Sequence, residues 1–321
     1  MTLLWQCKPA ADSPADQEHA EVSKATFTLA EQATDPGVFA NTVTGLDKYW
    51  YQGAGEITTY ALTQNRYNAL HPGEAILIFV SEDFLTDKQV KNEQYQSGSS
   101  TPIFKLNAIQ RFRTGIYDYS LMTSVFTPVK TNEYAKTLKV THSGQDWCGQ
   151  VYSQLNYDYG TDQYKFQLHS YFEREADQEK FIPASILEDE LLLRIRMMGG
   201  ENLPTGTFQV LPSMNYLRLS HQAAKPYSAE LSLADYEGDE IATGSSAAKV
   251  YTIRYPELQR EVRYVFQVNA PHYILGWTDA YPSAFDGVVR QTVAQRKATI
   301  MEPYWSMNDP GSSVLREKLG L

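Results

Sequence analysis

Three acidic clusters are the first places where this sequence could do chemistry: Glu82-Asp83, Glu188-Asp189-Glu190, and the run from Asp235 to Glu240. Two carboxylates can share acid and base or nucleophile roles on a glycosidic bond. An acidic turn can ligate calcium. The 235–240 run lacks the spacing of a calcium loop, and Glu188-Asp189-Glu190 stands where a helix should begin, where the macrodipole favours negative charge. Glu82, Asp83 and Asp235 therefore remain as the carboxylates of a dispersed, glycan-directed hydrolase. The six histidines form neither an HxH nor an HExxH pair, so no metal site is expected. His142 and His169 fall at polar strand positions and read as surface or satisfied histidines. No nucleophile elbow, P-loop or dinucleotide fingerprint occurs, so neither a nucleotide nor any other cofactor is expected.

Aromatic residues supply a second kind of chemistry. The chain holds 22 Tyr, 13 Phe and 5 Trp. Two segments set rings and hydroxyls beside glycine: 48–60, with Tyr49, Trp50 and Tyr51, and 113–126, with Tyr117 and Tyr119. Stacking faces combined with hydrogen-bonding groups suit a sugar or polar lipid. These five residues are the candidate ligand surface. Packing at a sheet corner would use the same residue types.

Bulk charge narrows the partners. With 28 Lys and Arg against 38 Asp and Glu, the net charge is -10 over 321 residues. An acidic surface disfavours nucleic acid and an electrostatic grip on anionic lipid heads. No apolar run reaches 18 residues, so no membrane-spanning helix is expected. Of the two cysteines, Cys148 lies in a strand-like stretch, 146–151, and reads as a buried apolar thiol. Cys7 follows Leu3, Leu4 and Trp5. Leu4 stands three positions before it, as in a lipoprotein box, although Gln6 replaces the usual small residue. Residues 8–24 are polar and rich in Ala, Pro and Asp, which suits a tether. Residues 1–40 thus read as the remnant of a lipoprotein signal with a flexible tether, and Cys7 as the lipid attachment site.

The elements that must position these groups are mostly strands. Tyr164, Phe166 and Leu168 alternate with polar residues, as do Val262, Tyr264 and Phe266, a period of two that puts one sheet face on a core. The continuous run Ala75–Val80 predicts a strand buried on both faces. A capping box at Ser185–Glu188, a stripe of Leu187, Leu191, Ile195 and Met198, a Glu190–Arg194 pair and the stop at Gly199-Gly200 predict one helix over 185–198. A second short helix is expected over 313–320. The fold class is mainly β: about a dozen antiparallel strands in a large sheet, sandwich or open barrel with that helix packed on it. Residues 41–321 read as a single antiparallel β domain, with a split near 200 as the alternative.

Several blocks, YWYQGAGEITTYALTQNRY, EAILIFVSEDF, TGIYDYSLMTSVFTPV, TLKVTHSGQDWCGQVYSQLN and PHYILGWTDAY, resemble an uncharacterised bacterial family of predicted secreted proteins and lipoproteins. The likeness runs over residues 45–321. Some of its members carry the label "septum formation inhibitor", but proteins that merit that label are α/β nucleotide pyrophosphatases with a Ser- and Arg-rich phosphate loop, which this sequence lacks. The resemblance implies an exported β protein and carries no catalytic residue across. The expectation is a lipid-anchored protein of the periplasm or outer membrane, a non-catalytic binding or structural module. Its partner would be a small lipid, a sugar or an envelope protein.

Overall fold

The computed structural model describes residues 43–95, 98–200 and 203–321; Cys7 and the 1–40 tether lie outside them. Sixteen strands form one sheet. They are β1 (Gly55–Arg66), β2 (Ala69–Leu85), β3 (Val90–Lys91), β4 (Ser100–Thr114), β5 (Tyr117–Pro128), β6 (Lys139–Asp146), β7 (Gly149–Asp158) and β8 (Gln163–Ser170). There follow β9 (Gln178–Pro183), β10 (Ile186–Leu187), β11 (Gly206–Leu211), β12 (Tyr227–Asp235), β13 (Ala248–Tyr255), β14 (Arg260–Gln267), β15 (Ile274–Pro282) and β16 (Val289–Glu302). Three helices accompany them: α1 (Leu191–Met198), α2 (Met214–Ser220) and α3 (Val314–Lys318). The strand order runs β10 to β16, then β1, β2 and β4 to β9, with β3 paired to β2. Neighbours are antiparallel except β10 and β11, a parallel pair joined through α1.

The sheet curves around α1. Six consecutive helix residues, Leu191 to Arg196, are buried, and one apolar cluster joins α1 to strands from both halves of the sheet. A helix buried on every side must neutralise its polar side chains internally. Glu190 pairs with Arg194 at 2.9 Å, as the i, i+4 spacing predicts. Arg196 donates two hydrogen bonds to Glu56 of β1, at 2.7 and 2.6 Å. The helix is shorter than predicted. Ile186 and Leu187 pair with β11 as strand, residues 188–190 form a 3-10 turn, and Ser185 is no cap; the Glu190 carboxylate instead accepts the Leu187 N–H. Gly199 ends the helix at a φ of 65°.

The predicted doubly buried run in β2 has a clear cause. Ala75, Leu77 and Phe79 enter the central core. Ile76 and Ile78 face the other way, against Ile57 and Leu319, so the C-terminal segment covers the sheet's outer face there. Leu319 is fixed by its carbonyl, which accepts the Thr59 hydroxyl proton at 2.6 Å.

Glu188-Asp189-Glu190 is a correction to the sequence reading. These carboxylates do not decorate an exposed helix start. Glu188 accepts two hydrogen bonds from Arg260, both at 2.7 Å, and one from the Tyr255 hydroxyl at 2.8 Å. Arg260 also grips Asp279 at 2.8 and 2.9 Å, and its guanidinium lies 3.9 Å from the Tyr216 ring centroid. Asp189 accepts the Met214 N–H at 2.9 Å, tying the start of α2 to the start of α1. Burial first, and the neighbouring Glu188 charge after it, pushes the Asp189 carboxyl up to about 7.

Candidate functional site

Successive hairpin connections alternate between the two ends of a sheet of this kind. Six of them share one end: β1–β2, β4–β5, β6–β7, β8–β9, β13–β14 and β15–β16. The β11–β12 connection, which contains α2, reaches that same end. Ser213 caps α2 by accepting the Tyr216 N–H at 3.3 Å, and His221 closes it in the left-handed region at a φ of 54°. At seven residues α2 is too short to stand on propensity alone; Met214, Tyr216, Leu217 and Leu219 hold it by burial.

Between α2 and the inner face of β6, β7 and β8 lies a cleft of about 230 Å³. Met214, Leu217, Arg218 and His221 line it at i, i+3, i+4 and i+7, one stripe of the helix. Opposite stand Val151, Phe166 and Leu168, with Gln178 and Lys180 of edge strand β9 at the side. The wall is thus apolar on the sheet side and basic along α2 and β9.

Arg218 is the centre of the site. Its side chain is only 4% exposed, and Nη2 donates to Asp146 at 2.9 Å. The guanidinium lies 4.6 Å from the Phe172 ring centroid. Among the described residues, Nε and Nη1 have no hydrogen-bond partner. Gly144 allows this approach, because a Cβ there would stand 3.3 Å from Nε and 3.2 Å from Leu121. A buried guanidinium with unused N–H groups carries a large desolvation cost.

His142 sits beside it. The polar strand position suggested a surface histidine or one with its needs met, but β6 turns His142 into the interior, 1% exposed. Nδ1 is 2.9 Å from the Thr123 hydroxyl, and Nε2 has no partner among the described residues. Burial, reinforced by the Arg218 charge, drives the imidazole down to about 3, so it is neutral at pH 7. Its companion His169 is exposed and pairs with Asp177 at 3.3 Å. At the mouth, His221 Nδ1 meets Glu175 at 2.5 Å. Burial opposes ionisation of Glu175, but hydrogen bonds from His221 and Ser170 outweigh it and hold this carboxyl below its usual range. Lys180, on the other side, is pulled down by burial alone.

The residues singled out from sequence fall elsewhere. Tyr49 and Trp50 lie just before β1, at the end opposite α2. Tyr49 donates to Glu56 at 2.7 Å, and Trp50, 4% exposed, packs against Phe104 and under Arg196. Trp50 belongs to the core, Tyr49 is partly buried against it, and Tyr51 is exposed. Tyr117 and Tyr119 stand at the α2 end. The Tyr117 hydroxyl donates to Asp146 at 2.9 Å, and Tyr119 stacks on Phe112 with 4.6 Å between centroids. The two aromatic segments therefore do not share a surface. Tyr117 touches the cleft indirectly, through Asp146, which it shares with Arg218.

Glu82 and Asp83 line a polar groove of about 590 Å³ with Lys91, Lys105, Tyr304 and Trp305. Glu82 is held by Lys105 at 3.0 Å. Asp235 is outside that groove, exposed and paired with Lys249 at 3.0 Å. Cys148 is a further correction: it is exposed, in the β6–β7 turn, because the Asp146 carboxylate accepts the N–H groups of Cys148 and Gly149 and bends the chain there. Among the described residues no group of His, Cys, Asp and Glu has the arrangement of a metal site.

Arg218 gave no signal in the sequence, and His142 only that of a polar strand position. Compared with family models, curated proteins and solved structures, the chain matches none, so the site's chemistry rests on its own geometry.

Proposed function

We propose that this protein is a non-catalytic binding module for a small amphipathic anion, a carboxylate or phosphate bearing an apolar chain. The ligand would lie in the α2 cleft, its head on Arg218 and Lys180 and its tail along Phe166, Leu168 and Leu217. The carrying observation is the buried Arg218 guanidinium beside an apolar wall, whose Nε and Nη1 lack partners among the described residues. The expected place of action is the cell envelope, with Cys7 as the lipid-bearing anchor. Titration calorimetry with decanoate, dodecyl phosphate and uncharged decanol tests the binding. Both anions should bind and the alcohol should bind at least tenfold more weakly. Arg218→Lys keeps the charge beside Asp146 but loses the planar donor array, and should weaken anion binding by about tenfold. Equal binding of anion and alcohol would refute the reading.

The glycan-hydrolase alternative draws on the groove that holds Glu82 and Asp83 between exposed rings. It has less support, since Glu82 is engaged by lysines and Asp235 lies apart. Turnover of a glycan panel by the wild type, lost in Glu82→Gln, would favour it.

A further inference from the structure

The end of the sheet that holds α2 carries an unusual set of turns. Five of its six hairpin connections end in a large apolar side chain that faces solvent: Tyr67 at 39% exposure, Ile116 at 78%, Trp147 at 62%, Tyr171 at 67% and Phe285 at 71%. A turn tip needs none of these residues; Gly, Asn and Asp are the usual choices. Each tip belongs to a separate hairpin; Tyr67 and Phe285 meet edge to face at 6.2 Å between centroids, and the tips together form an arc of projecting points beside α2. Two clefts open next to this arc, one on each side of α2, and His221 lines both.

Most charges between the tips are matched; the exception is the β8–β9 turn, with Glu173, Glu175 and Asp177 against Arg174. Arg113 pairs with Asp118 across the β4–β5 turn at 2.6 Å, Arg290 with Asp286 beside Phe285 at 2.6 Å, and Lys225 with Glu257 at 3.3 Å. In a chain of net charge -10, the β4–β5 and β15–β16 turns are each balanced by their own ion pair, and the surplus on this rim is confined to the β8–β9 turn. That balance complements a surface whose own charges are paired, and offers no grip on a strongly charged one. At the opposite end, exposed Tyr95 and Trp305 sit instead among Glu82, Asp83, Lys91 and Lys105.

We infer that the rim docks onto a zwitterionic lipid surface, with the five tips set into the headgroup boundary. Trp and Tyr favour that layer because one end of each ring is apolar and the other polar. Separate convex points suit a fluid surface that deforms around each of them. Docking of this kind brings both clefts against the bilayer. In naming the bilayer as the source of the anion, and in that alone, the inference rests on the proposed binding function; the docking rests on the rim.

The test uses the full chain carrying Cys7→Ser and Trp5→Phe, which removes the tail's thiol and indole. Phosphatidylcholine vesicles, with and without brominated acyl chains, are mixed with it. The wild-type rim should partition onto the vesicles and its tryptophan emission should be quenched by the brominated lipid. Trp147→Phe should remove most of that quenching and Trp305→Phe should not. Ile116→Asp and Phe285→Asp should each weaken partitioning about tenfold, with unchanged circular dichroism. Arg218→Lys should leave partitioning intact. No partitioning, partitioning indifferent to the tips, or partitioning that needs anionic vesicles and fades with salt would each overturn docking. So would a dimer that the tip variants dissolve, since the rim would then be occupied by a second copy. Decanoate titration in the same samples reads the cleft separately, so either idea can fail alone.

Discussion

Acidification should unfold or open this protein through His142. The imidazole is enclosed by β6, β5 and α2, and burial with the Arg218 charge lowers it from 6.5 to about 3. The unfolded chain therefore takes up a proton near pH 6.5 that the folded chain refuses until about pH 3. A group whose folded value is depressed loses stability as pH falls through that window. Each unit is worth about 1.4 kcal/mol, so His142 alone should remove about 2 kcal/mol by pH 5 and on the order of 4 kcal/mol by pH 3. Against a total stability of about 5–15 kcal/mol, that is a large share. The assay is urea unfolding at pH 8, 6.5, 5 and 4 for the wild type and His142→Asn, which keeps a polar partner for Thr123 and cannot ionise. The wild type should lose about 2 kcal/mol more than the variant between pH 8 and pH 5. His169 and His221 are present in both and cancel. Parallel pH curves would refute the reasoning, by showing that imidazolium is accommodated in the fold.

Two further substitutions probe the interior. Arg260→Met strands Glu188 and Asp279 as buried carboxylates and should cost about 3–5 kcal/mol. Adding Glu188→Gln and Asp279→Asn should restore part of the melting temperature, and no restoration would show that Arg260 acts by packing instead. Gly276→Ala places a Cβ 2.3 Å from the Ala294 carbonyl oxygen on β16 and 2.7 Å from Ile241. This change should lower stability by about 1–3 kcal/mol, read from the urea midpoint; an unmoved midpoint would mean that β15 and β16 can separate locally.

What was legible in the sequence was whatever repeats at short range. Tyr164 and Phe166 on β8, and Val262, Tyr264 and Phe266 on β14, are buried as their alternation predicts. The C-terminal helix and the Glu190–Arg194 pair were also readable. The buried pairs that cross the fold were not, because their partners are far apart in the chain: Arg196 and Glu56 by 140 residues, Arg260 and Glu188 by 72. Nothing local marks an arginine as interior. The α2 helix was missed since seven residues offer less than two full turns of periodicity. With it went Arg218 and the cleft, and only burial by α2 makes His142 an interior residue. Tyr49 and Trp50 were conspicuous in the sequence, which offered two uses for them; Trp50 packs in the core and Tyr49, partly buried, packs against it.

The two outermost strands of the sheet are neighbours in the chain. β9 ends at Pro183 and β10 begins at Ile186, so three peptide steps join them, a span of at most about 11 Å. Strands in a sheet lie about 4.8 Å apart, so at this joint the gap can open far enough for one inserted strand and no more. The sheet therefore behaves like a purse with a fixed hinge. It cannot flatten or accept a succession of added strands at the joint. Any enlargement of the interior must come from parting the edges away from the hinge, along β9, where Gln178 and Lys180 border the cleft. The size of a guest is limited by how far that single clasp can swing.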